Sequence, residues 1–277
     1  MRARVAGLER HACLQTTSFE AISETARPAA HGAARAWTLG APEIDRRLAG
    51  GLDAAALHEV KGEGRAGGTA TGDWAAALGF ALRLALRRLG AFEPRSADTR
   101  PQILWCWPSM FARELGHPYG QGLACLGLEP SSCLFVEAAR AGDALWAMEE
   151  GLRSQSLALV IGVLGEVALT PARRLSLAAA GHRTPCLIIT DPREPAAAST
   201  ATRWRVGAHK SAPHLFDAGA PGAPRYAVSL ERCRVGAHTV EASPLVVEWS
   251  DETHRFRVAS RLAHRAHAPR RAGLGAG

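Results

Sequence analysis

A glycine-rich stretch in the first third of the chain has the spacing of a phosphate-binding loop. Gly62, Gly67 and Thr69 occupy three of the four defining positions of the pattern G-x-x-x-x-G-K-[ST]. In such a loop, backbone N–H groups hold the phosphates, the lysine brings positive charge to the β and γ phosphates, and the hydroxyl holds Mg²⁺. The lysine position here is Gly68. The pattern therefore predicts the turn of a phosphate loop without its cation.

The other groups that a nucleotide hydrolase needs are also missing from their expected positions. The apolar segment LALVIG, where an acid would organise the metal, ends in Gly162, and the nearest acid, Glu166, lies beyond it. After the apolar segment QILWCW, where related ATPases often carry a catalytic glutamate, the chain continues with Pro108 and Ser109. We therefore expect no catalytic residues and no bound cofactor at this degenerate loop. The alternative is that Arg65, inside the loop, replaces the lost lysine.

A second candidate site combines cations with an aromatic ring. The stretch STATRWRVGAHKS places Arg203, Arg205 and Lys210 around Trp204. Arginine and an exposed aromatic ring together hold single-stranded DNA through phosphate contacts and base stacking, so these four residues are candidates for DNA or partner binding. The alternative is a strand with Trp204 and Val206 in the core and with solvated arginines.

Positive charge is concentrated at the C-terminal end. The net charge is +7, and six arginines but no acid follow Thr253. Four of them lie in the tail 260–277 and are further candidates for DNA or partner binding: Arg261, Arg265, Arg270 and Arg271. A basic tail with few apolar residues is expected to be disordered by itself. The alternatives are a tail that binds DNA or a partner and a solvated tail without a role.

Composition excludes several other classes of protein. The histidines suggest no metal site, because His264 and His267 are close together but lie in the tail without further ligands. The six cysteines are scattered without C-x-x-C spacing, which favours reduced thiols in a cytoplasmic protein. No apolar run approaches the 18 or so residues of a membrane span, and the first residues lack the apolar core of a signal peptide.

The positions of these candidates depend on an alternation of short apolar segments with helical patterns. The segments expected as strands are ALHEV, QILWCW, CLFVEA, LALVIGVL and CLIIT, and helical patterns lie between them. Thr170 and Pro171 predict the start of a helix that ends just before Gly181. After Asp191, RWRVGA, RYAVSLERCRV, PLVVEW and HRFRVA indicate shorter, antiparallel edge strands. Such alternation predicts an α/β fold with a mainly parallel sheet flanked by helices and antiparallel edge strands near the C-terminus.

These segments together resemble the RecA-like core and, more narrowly, the ImuA family of RecA- and SulA-related proteins of bacterial mutagenesis cassettes. The resemblance spans roughly 37–249 and is carried by GLDAAALHEV, ALWAMEEGLRSQSLALVIG, ARRLSLAAA, TRWRV and LERCRVG…VVEW. We predict three parts: a partly helical N-terminal extension (1–36), a RecA-like domain with a degenerate phosphate loop (37–259) and the basic tail (260–277).

The resemblance implies an accessory factor for damage-induced translesion DNA synthesis (SOS mutagenesis). The implied partners are an ImuB-type inactive Y-family polymerase and an error-prone DnaE-type polymerase; RecA and single-stranded DNA are further candidates. The ATPase activity of RecA is not implied, because Gly68 and Gly162 replace its lysine and acid. Two alternatives stay open: a weak DNA-stimulated ATPase of the RecA superfamily, and a SulA-like cell-division inhibitor that would bind FtsZ.

Overall fold

The centre of the structure is one mixed β-sheet. This computed structural model describes residues 36–64, 70–91, 101–214, 216–217, 219–235 and 244–259. Within these ranges, nine strands form the sheet in the order β11-β10-β9-β8-β3-β7-β6-β4-β5. Its strands are β3 (Leu57–Gly62), β4 (Gln102–Pro108), β5 (Cys133–Ala138), β6 (Leu157–Val163), β7 (Cys186–Thr190), β8 (Thr202–His209), β9 (Arg225–Cys233), β10 (Leu245–Ser250) and β11 (Arg255–Val258). A separate two-stranded pair joins β1 (Ala36–Trp37) and β2 (Leu52–Asp53).

Six α-helices of the described residues connect or flank these strands, and a short 3-10 helix (Pro130–Ser132) precedes β5. The α-helices are α1 (Pro42–Arg47), α2 (Ala70–Gly90), α3 (Ser109–Leu115), α4 (Gly120–Cys125), α5 (Ala141–Ser154) and α6 (Leu169–His182). None of the helices in the described ranges is both long and apolar enough to cross a lipid bilayer.

The strand directions confirm the predicted fold class. From β5 to β8 the strands pair in parallel, and β8, β9, β10 and β11 pair antiparallel. This mainly parallel sheet with antiparallel C-terminal strands is consistent with a RecA-like core. The prediction of edge strands was wrong for RWRVGA, RYAVSLERCRV and PLVVEW, because β8, β9 and β10 lie inside the sheet. Strand β8 is in addition parallel to β3.

The connection between β7 and β8 explains this difference. Both strands run parallel to β3 and flank it, so the chain must return from the carboxyl end of β7 to the amino end of β8. Residues 191–201 make this return without a helix or strand. Parallel strands are usually joined through a helix. The sequence between Asp191 and Ala201 did not lead us to predict a parallel connection without one.

Hydrophobic packing covers both faces of the sheet. On one face, Trp74 and Phe80 of α2 belong to the same cluster as Val60, Trp204 and Phe256. On the other face, residues of α5 and α6 cluster with residues of β3, β6 and β7: Met148, Leu152, Leu175, Leu57, Val160 and Ile188. Strands β6 and β7 are buried along their whole length, which explains their nearly continuous apolar sequences.

The ends of α6 differ from the prediction. The helix begins at Leu169 with Ala168 before it, so Thr170 is not the N-cap, and Pro171 is the third helical residue. Proline is tolerated there because N–H groups of the first turn have no partner within the helix. The helix also passes Gly181 and ends at His182, since Arg183 takes the left-handed conformation that stops it (φ 55°).

A buried histidine links β3 to two other strands. The ring of His58 is fully buried; its Nε2 lies 2.8 Å from the carbonyl oxygen of Asp53 and its Nδ1 lies 2.8 Å from Thr202 Oγ1. Because a carbonyl oxygen only accepts, Nε2 carries the proton and Nδ1 accepts from the threonine in the neutral ring. Burial lowers the pKa of His58, and the nearby Asp53 opposes this shift only partly.

This lowered pKa predicts acid sensitivity of the fold. Above the ordinary histidine pKa of 6.5, His58 is neutral in both folded and unfolded chains and its stabilisation is fully present. Below it, the unfolded chain takes up a proton first, so the free energy of unfolding falls by up to about 1.4 kcal/mol per pH unit. Chemical denaturation between pH 7 and pH 5 measures this slope. His58→Gln should flatten it, whereas the control His209→Gln, at an exposed histidine, should leave it unchanged.

Candidate functional site

The start of the degenerate phosphate loop lies at the carboxyl end of a central strand. Strand β3 ends at Gly62 between β7 and β8, and α2 begins at Ala70. In parallel α/β sheets, ligands bind outside the carboxyl ends of the strands. Gly62 is thus placed where a phosphate loop would start, whereas Gly67, Gly68 and Thr69, together with Arg65, lie outside the described residues.

Arg205 brings the nearest described guanidinium to this turn. Its Nη1 donates to the carbonyl oxygen of Gly62 at 3.4 Å, and a Cβ on Gly64 would lie 3.9 Å from the same nitrogen. The same guanidinium also forms an ion pair with Glu231 on β9. A cation therefore lies beside the loop entrance, although it is paired and comes from β8 instead of from the loop. The sequence pattern gave no indication of this approach.

Lys61 immediately precedes the first loop glycine but is buried on the opposite face of β3 from α2. Its Nζ donates to the carbonyl oxygen of Glu194 at 2.6 Å, in the returning segment 191–201. Burial lowers the pKa of this amine, while the neighbouring Glu59 carboxylate raises it. The ammonium group thus satisfies a carbonyl oxygen of the irregular connection.

Glu59 also anchors the segment 191–201 that connects β7 to β8. Its side chain has no exposed surface, and one carboxylate oxygen accepts from Thr190 Oγ1 (2.7 Å) and from the backbone N–H of Ala197 (3.0 Å). The other oxygen accepts from Arg203 Nε at 2.8 Å, and Arg203 Nη2 donates to the carbonyl oxygen of Ala197 at 2.7 Å. The carboxylate therefore joins β3, β7, β8 and the segment 191–201.

The structure separates the four residues that were predicted to bind DNA together. Trp204 is 1% exposed and lies against Phe80, so its ring has no free face on which a base could stack. Arg203 and Arg205 form ion pairs with Glu59 and Glu231. Both side chains are half-buried, whereas the alternative had assumed solvated arginines. Lys210 lies just after β8 and is exposed. The tail candidates Arg261, Arg265, Arg270 and Arg271 lie outside the described residues.

An acid that the sequence did not single out follows β7. Asp191 receives three hydrogen bonds from Arg193: from its backbone N–H (2.9 Å), from Nε (2.9 Å) and from Nη2 (2.7 Å). These hydrogen bonds hold the pKa of Asp191 below its usual range. Both carboxylate oxygens are thus occupied. Within the described part of the chain, no three His, Cys, Asp or Glu side chains come together in a way that could hold a metal ion.

Neither β4 nor β6 ends in an acid of its own; the acid beside the end of β4 is Glu137 of the neighbouring strand β5, which is in register with Trp107. The last two residues of β6 are Gly162 and Val163, both buried, and Glu166 is exposed beyond them. A Cβ on Gly162 would lie 2.4 Å from Met148 Sδ, so a side chain there would require Met148 of α5 to move. After β4, Ser109 Oγ donates to the carbonyl oxygen of Ala138 at 3.2 Å. At both strand ends, the residues described here therefore contact other parts of the protein.

Comparison with known proteins shows a similarity to one curated protein in two bacterial strains. No protein-family model matches the chain. Protein ImuA of Caulobacter vibrioides strain NA1000 / CB15N is 29% identical over 252 residues, which cover 85% of this chain and 93% of the relative, and the ImuA of strain ATCC 19089 / CIP 103742 / CB 15 gives the same values. The chain is therefore similar to ImuA proteins at a distant level.

The buried ion pair gives a first test of this site. Arg203→Ala leaves the Glu59 carboxylate buried without its cation, and we expect the free energy of unfolding to fall by about 3–5 kcal/mol. Urea denaturation measures it. The control Arg140→Ala removes an exposed guanidinium whose partner, Asp143, is also exposed, and it should change the stability little. Equal losses in the two variants would contradict the structural role given to Arg203.

The packing against Gly162 gives a second test. Gly162→Ala forces a methyl group against Met148 and should destabilise the fold by about 1–3 kcal/mol. Gly142→Ala is the matched control, because nothing lies within 4 Å of a Cβ at that position of α5. It should keep or raise the stability, since alanine favours a helix over glycine. Thermal unfolding compares the two variants, and an unaffected Gly162→Ala protein would show that the strand end has room for an acid.

Proposed function

We propose that the chain is a non-catalytic accessory factor for damage-induced translesion DNA synthesis. In this role it joins an ImuB-type inactive Y-family polymerase and an error-prone DnaE-type polymerase, with RecA and single-stranded DNA as further candidate partners. The distant similarity to ImuA over most of the chain supports this role. The observation that carries the proposal is that Lys61 of β3 and Arg203 and Arg205 of β8, which lie near Gly62, already bind partners within the protein.

Electrostatics supports a role without ATP hydrolysis. A unit charge about 4 Å from a phosphate is worth roughly 4 kcal/mol at an effective dielectric constant of 20. Gly68 cannot provide it, and the described ends of β4 and β6 carry no carboxylate for a metal or a water. The protein then acts by holding other molecules together on a RecA-like scaffold.

A weak DNA-stimulated ATPase is the second candidate function. It is favoured by Arg205, whose guanidinium lies 3.4 Å from the Gly62 carbonyl oxygen. Release from Glu231 would free this cation to approach a phosphate. Unlike the first function, this one requires the protein to hydrolyse ATP.

Phosphate release from ATP, with and without single-stranded DNA, distinguishes the two functions. We expect the wild-type chain to give no DNA-stimulated release above the rate without protein. Gly68→Lys should improve nucleotide binding but not turnover, because the carboxylates remain absent. DNA-stimulated hydrolysis by the wild type that is lost in Arg205→Ala would contradict the proposal and support the ATPase.

Co-purification tests the partners directly. The intact chain, co-produced with an ImuB-type protein and a DnaE-type polymerase, should retain them. A version ending at Ala259 keeps β11 and its buried Phe256, so loss of a partner would assign the contact to the basic tail. Failure of the intact chain to retain either protein would contradict the proposed complex.

A further inference from the structure

The two edges of the sheet differ in how they are protected. Strand β11 has four residues, and Arg255 and Arg257 stand on either side of the buried Phe256. Short length and charged side chains are the usual protection of an edge strand. Strand β5, the other edge, has six residues, and its sequence CLFVEA contains one charge. No strand of the described residues pairs with its outer side.

Strand β5 also exposes large apolar side chains. Leu134 and Phe135 are 44% and 40% exposed, on opposite faces of the strand. The ring of Phe135 lies 6.5 Å from that of Trp105 and 5.9 Å from that of Trp107, which belong to the neighbouring strand β4. An unpaired edge that exposes apolar side chains is a surface on which another chain can add a strand.

An apolar cavity adjoins this edge. Its volume is about 220 Å³, and Trp105, Trp107, Phe111 and Leu123 are among the residues that line it. The two tryptophans also contact Phe135, so the cavity lies next to the exposed ring. Small-molecule pockets usually measure about 300–1,000 Å³, so this cavity suits one large side chain better than a whole ligand.

Charge at the two ends of β5 indicates the chemistry of the added strand. Glu129, just before the turn that leads into β5, and Glu137, within β5, are both exposed. Glu137 is contacted by His117, and the next cation along the chain, Arg140, is held by Asp143. The edge therefore has an apolar centre between two carboxylates.

We propose that β5 is a docking edge for an extended segment of a partner protein, with apolar residues in its centre and Lys or Arg at both ends. The segment pairs with the open backbone of β5 and places one apolar side chain in the cavity beside Phe135. This inference rests on the proposed accessory function and specifies the surface and the kind of partner segment. The surface uses no residue of the degenerate phosphate loop.

Two synthetic peptides test the proposal on the full chain. Both carry the same alternating apolar and threonine core of eight residues; one has Arg-Lys at each end and the other has Glu-Asp. Fluorescence anisotropy of the labelled peptides should show binding of the basic peptide, with at least about fivefold preference over the acidic one, as expected of two exposed ion pairs.

Leu134→Lys should weaken binding of the basic peptide about tenfold or more, because it places charge on the edge. Leu177→Lys makes the same change at an exposed leucine of α6 and should leave binding unchanged. Circular dichroism establishes that both variants are folded. Reversal of both carboxylates, Glu129→Lys with Glu137→Lys, should transfer the preference to the acidic peptide.

Each other outcome overturns the proposal. A folded wild-type chain that binds neither peptide has no such docking edge, and equal effects of the two leucine variants place the binding elsewhere. A double-lysine variant that still prefers the basic peptide excludes the charge argument. If no peptide binds but sedimentation shows self-association that Leu134→Lys abolishes, the edge takes a second copy of this chain. The ATP assay is independent of all these outcomes, so failure here is distinguishable from failure of the proposed function.

Discussion

The buried carboxylate of Glu59 is the contact on which the arrangement of the central strands depends. It accepts from Thr190 on β7, from Arg203 on β8 and from the backbone N–H of Ala197. These groups belong to three strands and to the segment 191–201, which crosses the face of β3 without regular structure. A buried backbone group needs a hydrogen-bond partner, and a segment that is not a helix cannot supply all of its own. Glu59 and Lys61 provide partners for Ala197 and Glu194.

A second buried carboxylate has the same role among the antiparallel strands. Glu248 on β10 is 2% exposed and accepts from Arg225 on β9 at 2.7 Å and from Arg257 Nε on β11 at 2.8 Å. Arginines at these positions are thus committed to internal ion pairs. An arginine-rich chain with net charge +7 offers fewer free cations around its sheet than its composition indicates. The same consideration limits the free cations among the described residues beside Gly62, which agrees with the proposed role without ATP hydrolysis.

The sequence predicted those parts of the fold that depend on local pattern. The bounds of β5 and β7 agree with CLFVEA and CLIIT, because short apolar segments between turns have few alternatives. The alternation around Trp204 was compatible both with a core position and with a DNA-binding one. The ion-pair partner of Arg203 could not be predicted from the sequence, because Glu59 lies 144 residues away along the chain. The edge position of β5 was equally hidden, because strand order is a property of the whole sheet.

The central claim is that the described residues around Gly62 provide no free charge that could hold a metal–triphosphate. Calorimetric titration of Mg-ATP into the full chain tests it most directly, because binding is measured without requiring turnover. We predict no saturable, magnesium-dependent heat at concentrations up to about 1 mM, which corresponds to less than about 4 kcal/mol of binding free energy. Saturable binding at micromolar concentration that disappears when magnesium is chelated would contradict the account.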